Sequence, residues 1–218
     1  MMTEYDLSDK LITETLRYLG PRGLKPDAAL LQAVKEALKK LKKTVRPRFV
    51  QKAFPVQAED GDIYLDGAFL TRSRDLFRNL DGCTEAVLFA CTLGSEADRL
   101  IRRSLIRSVA DAAVYQAACT SLVEELADGV NEKIAQDAKA RKMKARPRYS
   151  PGYGDCALDV QKDFFRLLEL PKKLGLSLNA ALLMVPEKTV TAFVGLAPSG
   201  DEDAEGASKE AKEDRDGA

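Results

Sequence analysis

The sequence predicts an α+β protein, and three observations carry this. Stretches with a helical apolar period and stretches rich in β-formers are mixed, without the repeated βαβ rhythm of a doubly wound sheet. Asp60-Gly61 separates two β-rich stretches, as in a hairpin of antiparallel strands. No G-x-G-x-x-G follows a strand and no P-loop is present, which argues against a dinucleotide or nucleotide α/β fold.

The elements follow in order. Leu7-Ser8-Asp9 marks a helix start with Ser8 as cap, and Leu11, Ile12, Leu16 and Leu19 form its stripe before Gly20-Pro21 stops it. A second helix starts after Pro26-Asp27 and runs to about Lys43. Its Leu30, Leu31, Val34, Leu38 and Leu41 keep the helical period, and its lysines form a solvated face. Residues 48–56 read as a strand, and Ile63-Tyr64-Leu65 as its partner across the Asp-Gly turn. Residues 71–79 read as a short helix on a polar cap. Residues 85–91 read as a buried strand with Thr92-Leu93-Gly94 as its exit turn. From residue 96 to about 140 the pattern is helical. Ala110, Ala112, Ala113, Ala117 and Ala118 suit a central helix that a neighbour approaches closely. Residues 158–168 form another helix that Pro171 breaks, and residues 189–196 a final strand. Residues 1–198 are expected to form the folded domain. Residues 199–218 are Asp, Glu, Lys, Gly, Ala and Ser without apolar bulk, and are expected to be a disordered acidic tail.

Composition narrows the chemistry. The chain has 218 residues and a formal net charge of zero, so no global field favours nucleic acid or an anionic membrane. It has no histidine, which excludes Ser-His-Asp and Cys-His catalysis, an imidazole base and a histidine metal site. Cys83, Cys91, Cys119 and Cys156 match no zinc or iron–sulfur spacing, so no metal site is expected. Three read as buried small hydrophobes, and Cys156 is the one whose reactivity is worth testing. The polar, acidic start is unlike a signal peptide, and no apolar run of about 18 residues exists, so the cytoplasm is expected.

The densest candidate site is Arg148-Tyr149-Ser150-Pro151-Gly152-Tyr153-Gly154-Asp155-Cys156. Pro151-Gly152 forces a bend, because proline fixes φ and glycine permits positive φ. Guanidinium grips a carboxylate with two parallel hydrogen bonds, and tyrosine offers a π face and a hydroxyl. A bend holding Arg148 near Tyr153 suits a ligand with a carboxylate and a cation or flat ring. The same residues are also ordinary surface-turn residues.

At this segment the chain resembles the activation (reactivation) domain of cobalamin-dependent methionine synthase. In that family an arginine and a Pro-Gly-Tyr turn lead to a cysteine. Here a second motif follows in the family's order: Gly175-Leu176-Ser177-Leu178, then Met184-Val185-Pro186-Glu187-Lys188-Thr189-Val190-Thr191-Ala192. Arg17 to Gly20 and Thr92 to Gly94 recur as in its short, free-standing members. The family's aromatic pair beyond the final strand has no counterpart.

The resemblance implies a single α+β domain with a mainly antiparallel twisted sheet packed against long helices. It implies S-adenosylmethionine binding and a reactivation subunit for a split methionine synthase lacking its own activation domain, in which cob(II)alamin is reductively remethylated. The chain would act as a component of that methyltransferase rather than alone. Cobalamin would be carried by the partner, and the electron would come from a flavodoxin- or ferredoxin-type protein. No nucleic acid or membrane partner is implied. By motif match, Arg148 holds the ligand's carboxylate and Tyr149, Ser150, Pro151, Gly152 and Gly154 line it. Tyr153, the catalytic candidate, faces the corrinoid or the methyl donor, and Thr189 and Thr191 shape the ligand wall. Asp155 either supplies an acid near the sulfonium or amino group or is a solvated turn acid. Thr92 to Gly94 either line the corrinoid face or form a plain strand exit. The alternative function is a docking or reactivation partner of another corrinoid methyltransferase without S-adenosylmethionine use.

Overall fold

Capping and turn chemistry set most of the element boundaries in the computed structural model, which describes residues 8–20 and 26–199. Helix α1 (Asp9–Leu19) opens at Ser8, whose hydroxyl accepts from Leu11 N at 3.2 Å. Helix α2 (Ala28–Thr44) opens at Asp27, whose carboxylate accepts from Leu30 N at 2.7 Å. Strands β1 (Arg48–Glu59) and β2 (Asp62–Leu65) meet at Asp60-Gly61, with φ of 49° and 89°. Two successive positive φ values are the primed hairpin turn that Asp-Gly favours. Asp66-Gly67, at 52° and 76°, repeats it between β2 and β3 (Ala68–Arg72). Helix α3 (Arg74–Leu80) is capped by Ser73, whose hydroxyl accepts from Leu76 N at 3.0 Å. Then come β4 (Glu85–Thr92), α4 (Ser95–Arg107), α5 (Val109–Ala140) and β5 (Met143–Ala145). A 3-10 turn (Leu158–Val160) leads to α6 (Gln161–Leu167) and α7 (Leu170–Leu174). The chain ends its described part with β6 (Ser177–Leu178), β7 (Met184–Val185) and β8 (Thr189–Pro198).

Three expectations are corrected. Residues 71–79 are not one helix: Thr71 and Arg72 end β3, because the second Asp-Gly turn adds a strand, and the helix starts only after the cap at Ser73. Pro171 does not end the helical region. It sits in the first turn of α7, where its missing N–H has no helical acceptor to lose, and Glu169, with φ of 54°, makes the break instead. Of the five alanines proposed for close packing, Ala112, Ala117 and Ala118 are buried, whereas Ala110 and Ala113 face solvent. The expected acidic tail lies, apart from Ser199, outside the described residues.

Six strands form one sheet in the order β3-β2-β1-β4-β8-β5, and β6 pairs with β7 separately. The pairs β1–β2, β2–β3, β5–β8 and β6–β7 are antiparallel. The chain divides into two compact units that interleave in sequence. One takes the described part of Met1–Gln51 with Phe89–Val130 and Gln161–Thr191. The other takes Lys52–Leu88, Asn131–Val160 and the described part of Ala192–Ala218.

The first unit is mainly helical. Its core includes Leu38 and Leu41 of α2, Ala118 and Leu122 of α5, and Phe164 and Leu168, all buried. Thr15 of α1 hydrogen-bonds Ser121 of α5 at 3.1 Å inside that core. The second unit holds the β1–β2–β3 meander, α3 and the candidate loop. Its core includes Phe54, Ile63, Leu76, Leu80, Ile134 and Phe193. Each such leucine, isoleucine or phenylalanine contributes about 1.5–3 kcal/mol by leaving water.

Candidate functional site at the loop after β5

The loop at residues 148–156 is built on β8. Lys144 and Ala145 pair with Ala197 and Leu196, and Arg146 N donates to Gly195 O at 2.8 Å. Tyr149 then exchanges both backbone hydrogen bonds with Phe193, at 2.9 and 2.7 Å. Between these contacts the loop strand has one residue more than β8, so Pro147-Arg148 forms a bulge. Proline cannot donate to the ladder, and a bulge re-aims the side chain beside it. Arg148 is that side chain, and it is half-exposed. Asn79 of α3 donates to Pro147 O at 2.9 Å and holds the bulge from the other side.

Past Tyr149 the chain folds back on itself. Gly152 N donates to Cys156 O at 2.9 Å, Cys156 N to Tyr153 O at 3.0 Å, and the Tyr149 hydroxyl to Tyr153 O at 2.8 Å. Gly152 and Gly154 have φ of 88° and 52°, as the bend requires. At Gly154 a side chain is excluded twice over, since an added Cβ would collide with the Asp75 carboxylate and lie 2.7 Å from the Tyr149 hydroxyl. Pro151 is buried, Ser150 is half-buried, and the Tyr153 ring is 70% exposed.

Asp155 closes the loop onto α3. Its carboxylate accepts from the Ser73 hydroxyl at 2.5 Å and from the backbone N–H groups of Arg74 and Asp75 at 2.9 and 3.2 Å. These bonds, the Ser73 hydroxyl first, hold its pKa below the ordinary aspartate value. The position at a helix N-terminus adds to the preference for negative charge. Asp155 is an exposed turn acid, as one of the two sequence readings has it, and it also caps the N-terminus of α3. Burial, followed by the nearby Asp75, Cys156 and Asp155, raises the pKa of the Tyr149 phenol.

The loop has no reactive nucleophile. Cys156 is buried at 2% exposure, and burial pushes its thiol up to about 11. That corrects the expectation that it is the cysteine of interest. Cys83, half-buried, is the accessible one, and burial raises its pKa too. No cluster of His, Cys, Asp or Glu among the described residues could hold a metal ion. What the loop presents is a guanidinium, an exposed aromatic face and a rigid backbone.

The other sequence candidates lie in the helical unit. Thr189 and Thr191 are buried. The Thr191 hydroxyl donates to Gln161 Oε1 at 3.0 Å, and the Thr189 hydroxyl to Pro186 O at 2.8 Å beside Thr92. Thr92 and Leu93 are fully buried, so they form a packed strand exit. Ser73, Asp75 and Asn79, which brace the loop, carried no sequence signal beyond Ser73's value as a helix cap.

No family model matches the sequence, and no curated protein does. The crystal structure of the MetH reactivation domain bound to AdoHcy is similar to this chain, with a TM-score of 0.62 at 19% identity. The match covers 83% of this chain and 70% of that one. The fold is that of the MetH reactivation domain. Like it, the chain is α+β, with an antiparallel six-stranded sheet and long helices. No helix among the described residues is long and apolar enough to cross a membrane.

Proposed function

We propose that the chain is an S-adenosylmethionine-binding reactivation subunit that supports reductive remethylation of cobalamin in a methionine synthase lacking its own activation domain. The observation that carries this is the braced loop at residues 148–156, set in a fold shared with a reactivation domain whose crystal structure holds AdoHcy. The loop's residues suit the ligand. The Arg148 guanidinium takes the carboxylate as a bidentate pair. The exposed Tyr153 ring offers a π face to a sulfonium or an adenine. Gly152 and Gly154, at positive φ, hold the bend that presents both side chains.

S-adenosylmethionine, when bound, supplies an activated methyl group, so the protein's task is positioning rather than proton transfer. A chain without histidine is adequate for that. Tyr149 and Asp155 act as positioning residues: one ties the loop to β8 and to Tyr153, the other ties it to α3. Thr189 and Thr191 support the strand that carries Phe193 and do not touch the ligand. The cobalamin belongs to the partner, and a flavodoxin- or ferredoxin-type protein supplies the electron.

A second reading is favoured by one observation. The Asp155 carboxylate and the hydroxyls of Thr189 and Thr191 all have partners within the chain. The resemblance places all three at the ligand, and their engagement elsewhere suits a corrinoid-protein docking partner that does not use S-adenosylmethionine. The two readings separate in one assay. The chain is added to a cobalamin-dependent methionine synthase truncated before its activation domain and inactivated by oxidation. Recovery of turnover that needs both S-adenosylmethionine and a reductant supports the first reading. Stable complex formation without recovery supports the second.

A further inference from the structure

Within the helical unit, α2, α4 and α5 enclose a groove of about 410 Å³ that the loop at residues 148–156 does not use. The lining from each helix includes a pair of side chains one turn apart: Glu36 and Lys40, Arg103 and Arg107, Asp111 and Tyr115. Side chains four apart on a helix lie on one face, with Cβ atoms about 5–6 Å from each other. The groove's apolar lining includes Leu100 and Val114, both buried.

The cations set this groove apart. Among the described residues, Lys40, Arg103 and Arg107 make no ion pair, whereas Arg99, one turn earlier on α4, is held by Glu96 at 2.5 Å. Three unpaired cations gathered on one concavity repel one another, and an oxyanion relieves that repulsion. Two guanidinium forks one turn apart can converge on a single phosphate, with Lys40 adding charge from the facing helix. Glu36 and Asp111 leave the lining with one excess positive charge. They repel a polyphosphate but accept hydroxyl hydrogen bonds. The half-buried Tyr115 ring and the apolar lining suit a flat base. The volume falls within the range of small-molecule sites, roughly 300–1,000 Å³.

We propose that this groove is a second binding site, for a singly phosphorylated, nucleotide-like molecule. Its phosphate lies on Arg103, Arg107 and Lys40, its sugar hydroxyls face Glu36 and Asp111, and its base rests on Tyr115. The site is independent of the function proposed for the other loop.

AMP titrated into the full chain at low salt, followed by amide chemical shifts, tests this. The account expects saturable binding that weakens at least about tenfold in the Arg103→Gln/Arg107→Gln variant. It expects no change in Arg99→Gln, and weaker binding of adenosine and of inorganic phosphate than of AMP. Circular dichroism checks that the variants fold. No saturable AMP binding, equal binding by the double variant, or adenosine binding as tightly as AMP would overturn it. Loss of AMP binding in Arg148→Ala, with the double variant unaffected, would place the nucleotide at the other loop and also overturn it.

Discussion

The Asp155 carboxylate accepts a hydrogen bond from the Ser73 hydroxyl at 2.5 Å, across 82 residues of sequence. Ser73 is itself the cap of α3, so one serine satisfies a helix end and ties it to the candidate loop. The loop's position therefore depends on α3 as much as on β8.

Because folding depresses the Asp155 pKa, its contribution to stability is fully present above the unfolded value, near the ordinary 3.8. It is lost as pH falls through the lower folded value. Asp155→Asn should lower the melting temperature at neutral pH, and the gap to wild type should narrow as the pH drops below about 4. A gap independent of pH would show that the carboxylate's charge is not what caps α3.

Gly154→Ala should destabilise the fold by about 1–3 kcal/mol, from strain at positive φ and collision with Asp75 and Tyr149. Urea unfolding measures it. A variant as stable as wild type would mean that the loop is not packed against α3 as described.

Thr191→Val should cost about 1–3 kcal/mol, since it leaves the buried Gln161 oxygen without its donor. Affinity for S-adenosylmethionine should stay within about threefold of wild type. A large loss of affinity at unchanged stability would return Thr191 to the ligand wall.

The α+β class, the long helices and four of the eight described strands were legible because apolar period and caps are local signals. The Asp60-Gly61 hairpin is such a case. Asp66-Gly67 carried the same signal, yet the strand it opens, Ala68–Arg72, is short and half-exposed, and its residues blended into the helix that follows. The bend at Pro151-Gly152 was legible for the same local reason. What the loop rests on was not: Asp155 to Ser73, Asn79 to Pro147 and Tyr149 to Phe193 are long-range contacts with no pattern in either partner alone. Whether Thr189 and Thr191 face a ligand or a core was not legible, because alternating threonines in a strand look the same either way. Cys156 misled because nearness to a motif in sequence says nothing of burial.

Cysteine reactivity follows from burial. Cys83 should react first with a thiol reagent at pH 8. Cys91, Cys119 and Cys156 should react only on unfolding, as burial pushes Cys119 up to about 12 and Cys156 up to about 11. Mass mapping after timed labelling reads this. Early modification of Cys156 would contradict the packed loop.

Binding of S-adenosylmethionine at Arg148 is measured by calorimetric titration into the wild-type chain and into Arg148→Ala. A charge-assisted arginine–carboxylate contact is worth about 1.5–3 kcal/mol. Wild type should bind saturably, and the variant roughly tenfold to a hundredfold more weakly. Equal affinity in both, or no binding to a folded wild-type chain, would contradict it.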